Sequence, residues 1–176
     1  MDHHYVIHSD NLDLLPVKEQ DIEMLRNWRN DPQNQSSFLT TSFITAEQQR
    51  AWYRNYLNKK NDLMFMIYDK LSNSNIGMCS LYNINSDKQT AEFGRLLIGE
   101  TSARGRGLGF LVTYTLCNFG FNTLNFKEIN LEVLEENTTA YSLYRKIGFL
   151  PYDRYNVLDK IAIKMSISRE KFNEFN

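Results

Sequence analysis

Cysteine is scarce: only Cys79 and Cys117 occur in 176 residues. That excludes a disulfide-stapled scaffold, and each thiol reads as a small reduced core residue. A reducing cytoplasm is the simple expectation. The three histidines, His3, His4 and His8, all lie at the N-terminus. No Cys or acidic partner stands at ligand spacing, so no metal is expected, and the terminus reads as frayed or as an edge strand. No apolar run reaches the roughly 18 residues of a membrane helix. Met1-Asp2-His3-His4 lacks the basic start and apolar centre of a signal peptide. An excess of charge is also missing: 20 Lys and Arg meet 21 Asp and Glu, a formal net charge of −1. Affinity for nucleic acid or anionic membrane favours a basic excess, so neither partner is expected. Three prolines and eight glycines leave no linker tract. There is no repeat and no low-complexity run, so one domain over residues 1–176 with one sizeable core is expected.

The few glycines are concentrated. Three fall in Arg104-Gly105-Arg106-Gly107-Leu108-Gly109. Glu92 to Ile98, just before, is strand-like, and Phe110 to Phe121, just after, is apolar at helical spacing. The order strand, glycine loop, helix builds an anion site. Glycines allow close backbone approach, and the first helical turn offers unpaired N–H groups at the positive end of the dipole. A P-loop would need Lys after the last glycine, and none follows Gly109. A dinucleotide loop would need Gly-x-Gly-x-x-Gly, but the third position falls on Phe110 or Val112. Arg104-x-x-Gly107-x-Gly109 remains.

That pattern resembles the pyrophosphate loop of the GNAT family of acetyl-CoA-dependent N-acetyltransferases. A second stretch agrees. Asn137-Thr138-Thr139-Ala140-Tyr141-Ser142-Leu143-Tyr144-Arg145-Lys146-Ile147-Gly148-Phe149 is similar to the family pattern Asn-x-x-Ala-x-x-Leu-Tyr-x-x-x-Gly-Phe at each fixed position. Asn137 and Tyr144, seven residues apart, fall on one helix face. The resemblance covers roughly residues 10 to 165 and is most specific from Glu92 to Phe149.

Along the chain, Tyr5–His8 and Leu12–Val17 read as one interrupted edge strand ended by Pro16. Asp21–Asn30 reads as a helix with an Ile22, Leu25, Trp28 stripe, stopped by Asp31-Pro32. Gln33–Ser42 is polar and reads as irregular, with Phe38 and Phe43 near its end. Thr45-Ala46-Glu47-Gln48 is a capping-box signature for a second helix. Strands over Leu63–Tyr68, Ile76–Ile84 and Gln89–Ile98, joined by Ser72–Asn75 and Asn85–Lys88 turns, predict an antiparallel meander. A helix over Phe110–Phe121 and a strand over Ile129–Leu134 follow. Next come a helix over Asn137–Lys146 capped by Gly148, a strand pair over Tyr152–Val157 and Lys160–Ile167, and a polar tail from 169 to 176.

From the residues alone this is a mixed α/β domain. The resemblance implies a mostly antiparallel central sheet, splayed between its fourth and fifth strands (Gln89–Ile98 and Glu128–Leu134) and flanked by about four helices. It implies acetyl-CoA as acetyl donor, its pantetheine lying in the splay beside backbone of the fourth strand, with Leu96, Leu97 and Ile98 supplying an oxyanion-binding N–H. The pyrophosphate would meet Arg104, Gly105, Arg106, Gly107, Leu108 and Gly109. Asn137 would hydrogen-bond the coenzyme, or cap the helix that follows it, or both.

Acetyl transfer to an amine needs a neutral amine, a stabilised oxyanion and a protonated leaving thiolate. Tyr144 is the candidate acid, since a phenol of pKa about 10 is protonated at neutral pH; otherwise it packs the helix on the sheet. Glu92 is the candidate base, its alternative a solvent-facing carboxylate or one paired with Arg95. Trp28-Arg29-Asn30-Asp31 resembles a segment of the branch that contains the ribosomal-protein N-terminal acetyltransferases. On that basis Trp28, Arg29 and Asn30 are candidates for acceptor contact, and Trp28 equally for a core anchor. The expected acceptor is a small amine: an amino sugar, its nucleotide, or a polyamine. A protein α-amine, or an acyl-CoA-binding regulatory module without turnover, are the alternatives, and a homodimer is admitted.

Overall fold

The computed structural model describes residues 3–35 and 42–174. Eight strands form one sheet in the order β1-β2-β3-β4-β5-β6-β8-β7. They are β1 (Ile7–His8), β2 (Leu12–Pro16), β3 (Asp62–Asp69), β4 (Ser74–Asn85), β5 (Thr90–Ile98), β6 (Glu128–Leu134), β7 (Leu150–Val157) and β8 (Lys160–Ser168). All neighbours are antiparallel except β5 and β6. Six α-helices are described: α1 (Ile22–Asn30), α2 (Pro32–Gln35), α3 (Ala46–Asn58), α4 (Leu108–Asn122), α5 (Thr138–Ile147) and α6 (Arg169–Asn173).

The strands alternate between two cores. Leu63, Phe65 and Ile67 of β3 face α4, α5 and α6 in the larger one, with Phe93, Leu131 and Met165. Met64 and Met66 face α1 and α3, where Leu25, Trp28 and Tyr56 complete a smaller one. α4 is buried on most of its circumference, which is why Cys117, like Cys79 of β4, is fully enclosed; burial pushes both thiols up from the ordinary range.

Several expectations change. The interrupted edge strand is a hairpin, with Ile7 opposite Leu14 and the turn at Ser9–Asn11. The strands of the splay, expected as fourth and fifth, are therefore β5 and β6. His3 is not frayed: it is buried, its ring against Phe65 and Nε2 3.0 Å from the Met64 carbonyl. Asp31 ends α1, but Pro32 opens α2, the first helical position being where proline fits best. Phe38 lies outside the described residues. The polar tail contains α6, capped by Ser168, and its fully buried Phe172 meets Tyr114 and Phe121. Among the described residues four longer helices, α1, α3, α4 and α5, flank the sheet as expected, and α2 and α6 are short additions.

Candidate active site

β5 and β6 share three rungs only: Thr90 with Glu128, Ala91 with Ile129, and Glu92 with Asn130. Beyond them β6 stays paired to β8 along its whole length, while β5 stays with β4. The strands diverge and open a cleft of about 590 Å³. Leu96, Leu97 and Ile98 form one wall, Val133 and Leu134 the other. Asn137, Leu143 and Tyr144, all from α5 or its cap, also line it. β5 bends at this point. Ser80 faces Gly94 and Met78 faces Leu97, so Arg95 and Leu96 together oppose Cys79. This is a β-bulge, and Arg95 takes φ +52° in it, in the left-handed region.

The glycine loop stands at the end of the cleft rather than within its lining. Gly107 caps α4 at φ +74°, and Gly105 has the same φ. A Cβ at either would meet no atom within 4 Å, so the loop leaves open space beside the first α4 amides. Gly109 differs, since a Cβ there would stand 3.1 Å from Leu143 Cδ1; it lets α4 and α5 close together. Arg104 lines the cleft: Nε donates to the Ile98 carbonyl at 3.3 Å, and the guanidinium also holds the Asn34 side-chain oxygen.

Arg106 points elsewhere. It makes two bonds, 2.8 and 3.0 Å, to the carboxylate of Asp69, the last residue of β3. Asp69 is fully buried, and its Arg106 partner holds its carboxyl well below the usual range although burial opposes this. Arg106 therefore anchors the loop to the sheet.

Tyr144 is buried between Phe93 and Phe149, with ring centres 6.1 and 6.0 Å away, edge to face. Burial raises its phenol pKa above the ordinary value. Its hydroxyl has no protein hydrogen-bond partner among the described residues. Asn137 is the α5 cap, its Oδ1 accepting from the Ala140 amide at 3.1 Å, and it also lines the cleft. Glu92, half-buried on the last β5–β6 rung, is outside the lining. It stands opposite Tyr82 of β4, which does line the cleft. Burial and the neighbouring Glu92 carboxylate push the Tyr82 phenol up. Glu92 is not paired with Arg95, whose nitrogens hold both oxygens of Asp62 at 2.6 and 3.1 Å.

The α1 residues divide. Trp28 is buried, its Nε1 donating to Glu100 at 2.9 Å, its ring against Gly99, where a Cβ would collide with it. It is a core anchor. Asn30 clamps the chain after α2: its side chain exchanges two bonds with the Ile44 backbone, each 2.8 Å. Arg29 lines the cleft and also a second cavity of about 340 Å³ between α1, α3 and the sheet. Burial first, then the nearby Arg95 cation, lowers the Arg29 pKa from its ordinary value.

Tyr82, Arg95 and Asn34 were missed from sequence. Tyr82 and Arg95 carry no motif. Asn34, buried and donating to the Trp28 carbonyl at 2.8 Å, lay in a stretch read as irregular. Among the described residues there is no cluster of metal-ligating side chains, and no helix is long and apolar enough to cross a membrane.

A mixed sheet whose β5–β6 seam opens into a cleft, beside a glycine loop at a helix start, suits a long ligand that carries an anionic group. The family model described as an acetyltransferase (GNAT) domain matches residues 11–150. The chain belongs to that family and is an acetyl-CoA-dependent N-acetyltransferase. It is 24% identical over 161 residues to an N-acetyltransferase 9-like protein of Nematostella vectensis, covering 86% of this chain and 80% of that one. It is 24% identical over 142 residues to a spermidine N(1)-acetyltransferase of Vibrio cholerae, covering 81% and 80%. In structure it superposes on a Vibrio cholerae spermidine N-acetyltransferase, solved with CoA and spermine. The TM-score is 0.84, at 22% identity over 94% of this chain and 99% of that one. An apo nucleotide-linked sugar GNAT gives 0.82 at 21% identity, covering 98% and 94%.

Proposed function

We propose that one domain transfers the acetyl group of acetyl-CoA directly to the primary amine of a small molecule, with no acetylated enzyme between. The observation that carries this reading is the three-rung seam with Tyr144 in the wall of the cleft it opens. Acetyl-CoA fits the residues present. The β5 edge beyond Glu92 has N–H and C=O groups facing the gap, as a strand-like pantetheine requires. The open space beside Gly105 and Gly107 suits a pyrophosphate at the α4 N-terminus, with Leu108 and Gly109 amides nearest. Arg104 stands at that end, whereas Arg106 contributes by anchoring the loop. Asn137 holds the coenzyme from the α5 cap.

The coenzyme supplies an activated acetyl thioester; the chain supplies position and protons. The amine nitrogen attacks the carbonyl carbon, a nitrogen–carbon bond forms and the carbon–sulfur bond breaks. Backbone N–H groups between Leu96 and Ile98 stabilise the oxygen that gains charge. Tyr144 donates its hydroxyl proton towards the leaving sulfur, and its raised pKa keeps it protonated at neutral and mildly alkaline pH. Glu92 takes the amine proton by way of Tyr82 or water. The relatives above include spermidine and sugar-nucleotide enzymes, which favours a small acceptor over a protein α-amine. The finer placement beside the ribosomal-protein acetyltransferases rests on Trp28–Asp31 alone, and buried Trp28 lends it nothing.

The test is thiol release from acetyl-CoA by the purified protein over a panel of amino sugars, amino acids and polyamines, with the product weighed by mass spectrometry. Amine-dependent release is expected. Coenzyme binding with no release for any amine would make this an acyl-CoA-binding module instead.

A further inference from the structure

The second cavity, of about 340 Å³, continues the first, because Arg29 and Arg95 line both. The cleft between β5 and β6 takes the donor, so the acceptor amine reaches it from the α1–α3 side and the rest of the acceptor lies in the second cavity. At the neck Arg95 is already bonded to both oxygens of Asp62, and the character of the cavity is set by the walls beyond. Leu25, Ile44, Trp52, Met64 and Met78 make those walls apolar. The protein itself holds them in place. Asn30 fixes Ile44 by its two backbone bonds. The Trp52 ring lies on Tyr56, 11° from parallel with centres 5.6 Å apart, and the Tyr56 hydroxyl accepts from the Met64 amide at 3.2 Å. An apolar cavity of about 150 Å³ already takes a benzene ring, so this one has room for a ring with a substituent.

One group in that wall is neither apolar nor satisfied. Gln49 is 5% exposed and lines the cavity, on the same α3 face as Trp52 and Tyr56. Its side-chain amide makes no hydrogen bond among the described residues. A buried amide costs stability while it is unpaired, so its partner has to come from the cavity. Ser42 and Gln48, the other neutral polar residues of the lining, are exposed, and among the described residues the lining holds no Asp or Glu. A polyamine would lose the hydration of its far ammonium here without gaining a carboxylate, and an amino sugar would leave most of its hydroxyls against carbon. Resting on the transferase reading above, we infer that the acceptor is an amine with an apolar, ring-sized body that bears one neutral hydrogen-bonding group, a hydroxyl, carbonyl or amide. The body lies against Trp52 and the two methionines, whose thioethers adapt to its shape. The neutral group meets the Gln49 amide, which can both donate and accept. The amine then points through the neck towards the donor.

The test uses matched amines: phenethylamine against ethylamine for the apolar body, and tyramine and its 3-hydroxy isomer against phenethylamine for the neutral group, with spermidine and glucosamine as comparators. Binding to the CoA-loaded protein is measured by calorimetry, and KM by thiol release. Phenethylamine should bind about tenfold tighter or more than ethylamine, from the apolar area it buries, and tighter than either comparator. One hydroxylated isomer should gain a further roughly three- to tenfold, the net size of one neutral hydrogen bond. Gln49→Leu, or Gln49→Met, should remove the hydroxyl gain and keep the ring preference, whereas Trp52→Leu should shrink the ring preference. Equal binding of phenethylamine and ethylamine, tighter binding of spermidine or glucosamine, no gain from either hydroxyl, or a gain that survives both Gln49 variants would overturn the inference. The binding ratios stand apart from turnover. Ring preference without acetylation of any amine would defeat the transferase reading and leave this one intact; acetylation without ring preference would do the reverse.

Discussion

The Arg95 guanidinium carbon stands 4.4 Å from the centre of the Tyr82 ring. The same group holds both oxygens of Asp62, so it lies over the phenol as a fixed cation. From the strand below, Gly94 leaves the ring its place; a Cβ there would come within 3.0 Å of it. Glu92 faces Tyr82 across the β4–β5 rung. Tyr82 is thereby held between a cation and a carboxylate, with one end in the cleft.

Tyr144→Phe keeps the ring contacts with Phe93 and Phe149 and removes only the hydroxyl. If that hydroxyl serves the leaving sulfur, kcat falls about 10²-fold, the low end for a positioned acid because thiolates leave readily. KM for acetyl-CoA should barely move. Steady-state kinetics decides, and parent-like kcat would return Tyr144 to a packing role.

Glu92→Gln should lower kcat/KM at neutral pH by about 10²-fold, with partial recovery at high pH, where the amine sheds its proton unaided. Tyr82→Phe in the same background should add little, because the two act in one path. Additive losses in this double-mutant cycle would mean that Glu92 works without Tyr82.

Asp69 makes stability depend on pH. Its folded pKa is depressed, chiefly by Arg106. Its contribution is therefore full above the unfolded carboxyl value of about 3.9 and is lost as pH falls below that towards the folded value. Urea midpoints followed from pH 7 downwards should show a lower plateau for Asp69→Asn and a shallower acid limb than the parent. Parallel curves would show that the Arg106 pair adds nothing net.

Local signals carried much of the architecture. Thr45 and Gln48 do exchange the two bonds of a capping box, Gly148 does cap α5 at φ +111°, and Gly107 does open α4. Each of these is a contact within four residues, where type and spacing suffice. The β1–β2 hairpin escaped because a two-residue strand has no period to read. α6 escaped because its polar residues concealed the one that matters, Phe172. Arg106 with Asp69, Arg95 with Asp62 and Arg104 with Asn34 escaped for another reason. Partners so far apart in sequence meet only once the sheet is built, and identical arginines then serve an anchor, a clamp and a cleft wall. The second cavity is likewise a product of packing between α1, α3 and the sheet.

The three-rung seam also bears on how the molecule opens. β1–β5 form one paired block and β6–β8 another, and the joint between these two blocks consists of three backbone rungs. A ligand bonded to both lips of the joint would act as the missing rungs. By mass action it would resist unfolding by about 2.7 kcal/mol at a hundredfold excess over its Kd. Amide hydrogen exchange along β5 after Glu92 and β6 after Asn130 would slow as the joint is bridged, and the two blocks would open as one cooperative unit rather than two.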